Sequence, residues 1–158
     1  MNRAYKVIAL SCAAAVAATL VFAQATTEEL VAAVEARQTH MKERGAAIGV
    51  LAKMAQGELP YDATAAVVAA TALVTLSSAD QSTFWLPGSE NGAVPDSFAK
   101  PALFENMDDY AAKTTALNVA AVAMQTAAAV DLAALQAALP ALGGACGSCH
   151  ETYRVPEN

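Results

Sequence analysis

Three residues near the C-terminus carry the clearest chemical signal in this sequence. Cys146 and Cys149 are separated by two small residues, and His150 follows directly. Residues three and four apart share one face of a helix, so a helix here would present both thiols and the imidazole to one cavity. Two thiols can add across the two vinyl groups of a haem, and the imidazole can bind its iron from the same side. The spacing therefore predicts covalent attachment of one haem c.

Other uses of these side chains fit the sequence less well. A redox dithiol of the Cys-x-x-Cys type is expected in a βαβ context, which the sequence does not indicate. A structural zinc site needs four protein ligands, but after residue 25 the chain has two cysteines and two histidines, with His40 far from the motif. Simple burial of the two cysteines and the histidine on one helix face is the remaining alternative.

The N-terminus has the pattern of a secretory signal peptide. A short basic stretch precedes an apolar run over residues 7–23, and Ala23 and Ala25 form an Ala-x-Ala cleavage site. We expect cleavage after Ala25, or after Ala23 in the alternative frame. The prediction is a signal peptide over residues 1–25 and one exported, periplasmic domain over residues 26–158, with no permanent membrane anchor.

The charge and composition of residues 26–158 narrow the class of protein. Seven basic and fifteen acidic residues give a formal net charge of −8. This charge argues against binding to nucleic acid or to an anionic membrane, and it permits a basic redox partner. Alanine dominates and β-branched alternation is scarce, which predicts an all-α domain with a single core.

The periodicity predicts four helices. Thr26 and Glu29 form a capping box before the first, while Asp62 and Asp131 are expected to cap the second and fourth. Pro140 predicts a kink or break in the last helix. The connection before the third helix contains Phe84 and Trp85, which we expect to fasten it to the bundle. The predicted helices are 26–56, 63–77, 101–128 and 132–154, with a long irregular connection over 78–100.

The inward faces follow from the same periodicity. On the first helix the predicted stripe includes Arg37 and Met41, and it places His40 at the surface or rim. Methionine also fills irregular cores well, so Met41 has a purely structural alternative. The sequence predicts that Met54, Met107 and Met124 lie in the core.

Nearly all of the exported domain resembles the class II c-type cytochromes, which comprise the cytochrome c prime family and its low-spin relatives. The resemblance is carried by the C-terminal stretch 146–154, by Arg37-Gln38 followed by Met41, and by the stretches 57–62 and 104–110. It implies an up-down-up-down antiparallel four-helix bundle that carries one covalently bound haem.

The resemblance also implies roles for individual residues. His150 would be the proximal iron ligand, with Cys146 and Cys149 forming the thioether bonds to haem c. The side chains of Arg37 and Gln38 would lie near the haem propionates. On the same basis, Leu103 would lie against the haem face, and Arg154 near the proximal imidazole.

Met41 decides between the functions that the resemblance implies. If its thioether binds the iron, the protein is a periplasmic electron carrier that exchanges electrons with redox partner proteins. If Met41 only shields the iron, the protein is a five-coordinate haem protein that binds nitric oxide, carbon monoxide or another small gas. A peroxidase reading is weaker because no distal His and Arg pair is evident, so we expect no enzyme activity. The resemblance further implies a homodimer through the outer faces of the first two helices, which their alanines permit.

Overall fold

Five helices account for most of residues 24–156, the part of the chain that the computed structural model describes. Except for Gln24 and Ala25, the predicted signal peptide lies outside these residues. Four of the helices are long, whereas α3 has only five residues and directly precedes α4. The helices are α1 (Thr27–Ala55), α2 (Ala63–Ser78), α3 (Pro101–Glu105), α4 (Met107–Ala128) and α5 (Leu132–Tyr153).

The four long helices form a closed bundle. Helix α1 contacts α2 and α5, and α4 contacts the same two helices from the other side. Each long helix therefore has two neighbours, as the four-helix bundle requires. This arrangement confirms the predicted all-α, up-down-up-down architecture.

Side-chain caps determine where three of the helices begin. The Thr26 hydroxyl accepts a hydrogen bond from the Glu29 amide at 3.3 Å, and the Glu29 carboxylate accepts one from the Thr26 amide at 2.7 Å. Asp62 accepts from the Ala65 amide at 2.8 Å and Asp131 from the Ala134 amide at 2.7 Å. These bonds satisfy amides that have no partner within the helix. All three predicted caps are confirmed.

The third predicted helix is interrupted where the sequence indicated a continuous one. Asn106 separates α3 from α4 with a non-helical backbone (φ −132°, ψ 47°). Its side-chain amide donates to the Ala102 carbonyl at 2.8 Å. Asparagine readily makes such local bonds in place of helical ones, which explains the break. A consequence is that Met107 begins α4 at 40% exposure, so its predicted place in the core is wrong.

Helix α5, in contrast, continues through Pro140, and the predicted break is wrong. Proline has no amide proton for the carbonyl of Gln136, but both residues are exposed, so water can reach that carbonyl. By length and composition alone α5 could cross a membrane. In this structure it is a bundle helix whose Leu135 and Leu142 are fully buried.

The core between the helices combines a few large side chains with many alanines. Leu51, Met124, Leu135 and Leu142 are its largest fully buried side chains. Around them lie small residues that allow the helices to approach closely: Ala47, Ala66, Ala69, Ala70, Ala121 and Ala128. A second, smaller cluster contains Leu103, Tyr110 and Tyr153. It packs beside Cys149, and this end of the bundle contains the candidate site.

The connection between α2 and α3 is irregular over residues 79–100, close to its predicted extent. Its last residues bond to the end of α5: the Lys100 amide donates to the Tyr153 carbonyl and the Val155 amide to the Phe98 carbonyl, both at 2.8 Å. Trp85 packs edge-on against Tyr110, with ring centroids 4.9 Å apart. The predicted anchoring of this segment by its aromatic residues is confirmed.

Candidate haem site

A cavity of about 500 Å³ opens at the end of the bundle where α5 terminates. Its walls come from the N-terminal half of α1, the connection 79–100, α3, the first turn of α4 and the last two turns of α5. The size falls within the range of cofactor and ligand pockets. Among the lining residues are Gln38, Met41, Leu103, Cys149 and His150. The structure therefore brings together side chains from both halves of the predicted site.

Helix α5 positions the three residues of the motif. Cys149 and His150 line the cavity, while Cys146 lies one turn earlier and is half-buried against the main core. Both thiols are free. Burial raises the pKa of each thiol, and the Arg44 guanidinium partly opposes this effect. A raised pKa favours the protonated thiol, and both thiols lie on the same helix as the imidazole of His150.

The environment of His150 favours its ligating form. Desolvation lowers the pKa of the imidazole, and the cationic side chains of Arg154 and Arg44 lower it further. A neutral imidazole nitrogen is the form that binds iron. The effect of Arg154 agrees with its predicted place near the proximal imidazole.

Met41 lies on α1, which is a direct neighbour of α5 in the bundle. It is half-buried and lines the same cavity as His150. Its Sδ atom lies 3.9 Å from Nη1 of Arg44, which donates to it. The geometry therefore places one thioether and one imidazole in a single cavity.

Arg37 lines the cavity, but its terminal nitrogens are engaged elsewhere. Nη1 donates to the Phe84 carbonyl at 3.1 Å and to the Ser89 hydroxyl at 2.8 Å. Nη2 donates to the Ser89 carbonyl at 2.5 Å and to the Ser97 hydroxyl at 2.6 Å. The guanidinium also stacks 5.1 Å from the Trp85 ring centroid. In this structure Arg37 anchors the connection 79–100, and its role at the propionates stays a prediction.

The other two predicted cofactor contacts also lie at the cavity. Gln38 donates from Nε2 to the Asp96 carbonyl at 2.5 Å and so joins α1 to the connecting segment. Leu103 on α3 is 2% exposed and offers an apolar surface. Both positions suit the predicted contacts, which remain predictions.

Sequence reasoning missed two buried polar residues on α1. His40, predicted at the surface or rim, is 6% exposed and packs edge-on against Phe84, with ring centroids 5.3 Å apart. Arg44 is also 6% exposed. The signal was present, because Arg37, His40 and Arg44 follow one another at helical spacing of three and four residues. An analysis that considers only hydrophobic residues does not identify a buried helix face made of polar side chains.

Comparison with known proteins identifies the family of this chain. The sequence model of the family described as Cytochrome C′ matches residues 32–154. The chain belongs to the cytochrome c′ family. Cytochrome c-554 of Cereibacter sphaeroides (strain ATCC 17023) is 46% identical over 121 residues, which cover 77% of this chain and 79% of that protein.

Solved structures of cytochrome c′ show the same fold. The one from Rhodobacter Spheriodes has a TM-score of 0.78 and 38% identity, covering 84% of this chain and 100% of that one. A ferrous variant of cytochrome c prime from Alcaligenes xylosoxidans with bound nitric oxide has a TM-score of 0.68 and 29% identity, covering 79% of this chain and 94% of that one.

The cytochrome c′ family carries covalent haem c, and the described residues fit that cofactor. Cys146 and Cys149 are the cysteines of residues 24–156, and both lie within one turn of His150. Within the same residues no cluster of three or more His, Cys, Asp or Glu side chains could hold a bare metal ion. The two thiols and the imidazole of the motif suit a haem c, whose porphyrin supplies most of the ligands of its iron.

Proposed function

We propose that this cytochrome is a periplasmic electron carrier in which His150 and Met41 would both bind the haem iron. The observation that carries the proposal is that both side chains line one cavity. Haem c supplies one-electron iron chemistry when bound. A methionine thioether as a ligand of the iron would favour a higher reduction potential.

The chain's own residues supply attachment and enclosure. Cys146 and Cys149 would hold the haem through thioether bonds, and the neutral imidazole of His150 would bind the iron. The cluster of Leu103, Tyr110 and Tyr153 beside Cys149 would exclude water from one side of the cavity. Exclusion of water limits the reorganisation that accompanies electron transfer and hinders side reactions.

Optical spectroscopy of the purified haem-loaded protein tests this function. Methionine ligation predicts sharp, split α and β bands in the reduced state and a weak band near 700 nm in the oxidised state. Met41→Ala should convert this spectrum to a broad, high-spin one. Met54→Ala serves as the control, because it removes a buried methionine outside the cavity. A wild-type spectrum that is already high-spin would overturn methionine ligation.

Gas binding is the second candidate function, and one comparison favours it. The similar structure from Alcaligenes xylosoxidans holds nitric oxide on a ferrous protein. In this chain Met41 would then shield an open iron site rather than bind the iron. A wild-type protein that takes up carbon monoxide immediately on mixing supports this function, whereas slow or absent uptake supports the electron carrier.

Export and assembly complete the proposal. Cleavage after Ala25 or Ala23 would release the domain into the periplasm, where it would meet its redox partner proteins. A groove between α1 and α2, lined by Ala46, Val50 and the 65% exposed Val68, suits a homodimer. Intact mass of the purified protein tests the cleavage site and the haem. Sedimentation with Val68→Glu against wild type tests the dimer.

A further inference from the structure

Arg44 is a buried cation next to the methionine of the site. It lies on α1, three residues after Met41, and is 6% exposed. Its Nη2 donates to the Leu76 carbonyl at 2.9 Å, and its Nη1 donates to Met41 Sδ at 3.9 Å. Its Nε is buried without a hydrogen-bond partner among residues 24–156.

No carboxylate of the described residues lies within ion-pair distance of Arg44. Among residues 24–156, the ion pair joins Lys113 to Asp109 at 3.7 Å, both on α4. The two hydrogen-bond acceptors of Arg44 are the Leu76 carbonyl and the Met41 thioether, and both are uncharged. Burying a cation without an opposite charge costs free energy of folding. Packing alone therefore does not explain why position 44 is an arginine.

Geometry places the charge of Arg44 beside the site, because its Nη1 contacts Sδ of Met41, and Met41 lines the same cavity as Cys149 and His150. A charge in the protein interior is screened far less by water and salt than a charge at the surface. Reduction adds one negative charge to the site, and a nearby buried cation favours that change.

We propose that Arg44 is a positioning residue that favours the reduced state of the haem and holds the Met41 thioether on the cavity wall. This inference rests on the proposed function of electron transfer. Its first effect is electrostatic and needs only the haem, whereas its second needs the contact between Nη1 and Sδ. The two effects can be separated by experiment.

The test is spectroelectrochemical titration of the haem-loaded protein. Arg44→Met should shift the equilibrium for reduction toward the oxidised state by about tenfold, which for a one-electron couple is about 59 mV. Arg44→Lys keeps the charge and should stay within about threefold of wild type. The control is Lys53→Met, which removes an exposed cation of the same helix and should leave the equilibrium unchanged.

A second background separates charge from ligation. In Met41→Ala protein, adding Arg44→Met should still lower the reduction equilibrium, because the charge acts without the thioether. The coupling between the two substitutions measures the effect of the contact with Sδ. If Arg44→Met does not mature, Arg44→Gln provides the same loss of charge and keeps a donor for Leu76.

Equal reduction equilibria for wild type, Arg44→Met and Arg44→Gln would overturn the inference. That result is distinguishable from failure of the proposed function. A high-spin wild-type spectrum removes methionine ligation, yet the effect of the Arg44 charge would still be measured in that protein.

Discussion

Arg37 on α1 donates a hydrogen bond of 2.6 Å to the hydroxyl of Ser97, sixty residues further along the chain. The Ser97 hydroxyl in turn donates a hydrogen bond to the Ser89 carbonyl at 2.8 Å. One buried guanidinium thus organises two separate parts of the segment 79–100. That segment forms a wall of the haem cavity. The fold of the site therefore depends on Arg37, which the family resemblance had implied would lie near the haem propionates.

We predict that Arg37→Met destabilises the protein by about 3 kcal/mol, since it leaves several buried oxygens without donors. Ser97→Ala removes a single partner and should cost about 1 kcal/mol. Lys42→Met, an exposed cation of the same helix, should change stability by less than about 0.5 kcal/mol. Urea denaturation followed by circular dichroism measures all three. A stability of Arg37→Met equal to that of Lys42→Met would contradict the anchoring role.

Tyr153 predicts a stability change at alkaline pH. A hydrogen bond of 2.6 Å to Asp109 is the main reason that the pKa of its phenol rises to about 12. An unfolded tyrosine titrates near about 10. The folded state therefore holds the proton more tightly, and this contribution is complete below pH of about 10 and is lost as pH rises to about 12.

Denaturation at several pH values checks this prediction. Tyr153→Phe should lose less stability than wild type between pH of about 10 and 12, because it has no phenol to titrate. Asp109→Asn should flatten the same pH dependence, since it removes the carboxylate that holds the proton. Identical alkaline slopes in wild type and Tyr153→Phe would show that this bond does not contribute.

Pro140 predicts a gain in stability on substitution. It lies at an exposed position inside α5 and leaves the Gln136 carbonyl without a helical donor. Pro140→Ala should stabilise the protein by about 1–3 kcal/mol. Pro101→Ala is the matched control, because proline at the first turn of α3 loses no helical bond and its removal should give no gain. Thermal denaturation of the two variants compares them directly; equal melting temperatures would contradict the argument.

The core should be sensitive to cavities because so much of it is alanine. Leu135 is fully buried, and Leu135→Ala should cost about 3 kcal/mol. Leu59 is 40% exposed, and Leu59→Ala should cost less than about 1 kcal/mol. Denaturant midpoints give both values. A small effect at Leu135 would mean that the small neighbouring side chains collapse into the space.

The local features of this protein were predictable from its sequence. The spacing of Cys146, Cys149 and His150 predicted the haem site, and the caps at Thr26, Asp62 and Asp131 predicted where three helices begin. These features depend on residues at most four apart, and helix geometry relates such residues without any tertiary information.

The tertiary structure decided which neighbours each helix face meets. It buried His40 and Arg44, directed Arg37 to Ser89 and Ser97, and exposed Met107 after the break at Asn106. It also allowed α5 to continue through Pro140, because Pro140 and Gln136 both lie on the exposed side of the helix. Helical periodicity shows which residues share a face but contains no information about the element packed against that face. For this reason the sequence by itself determined the haem-attachment motif. Only the packing of the helices decided which charged side chains are buried around that motif.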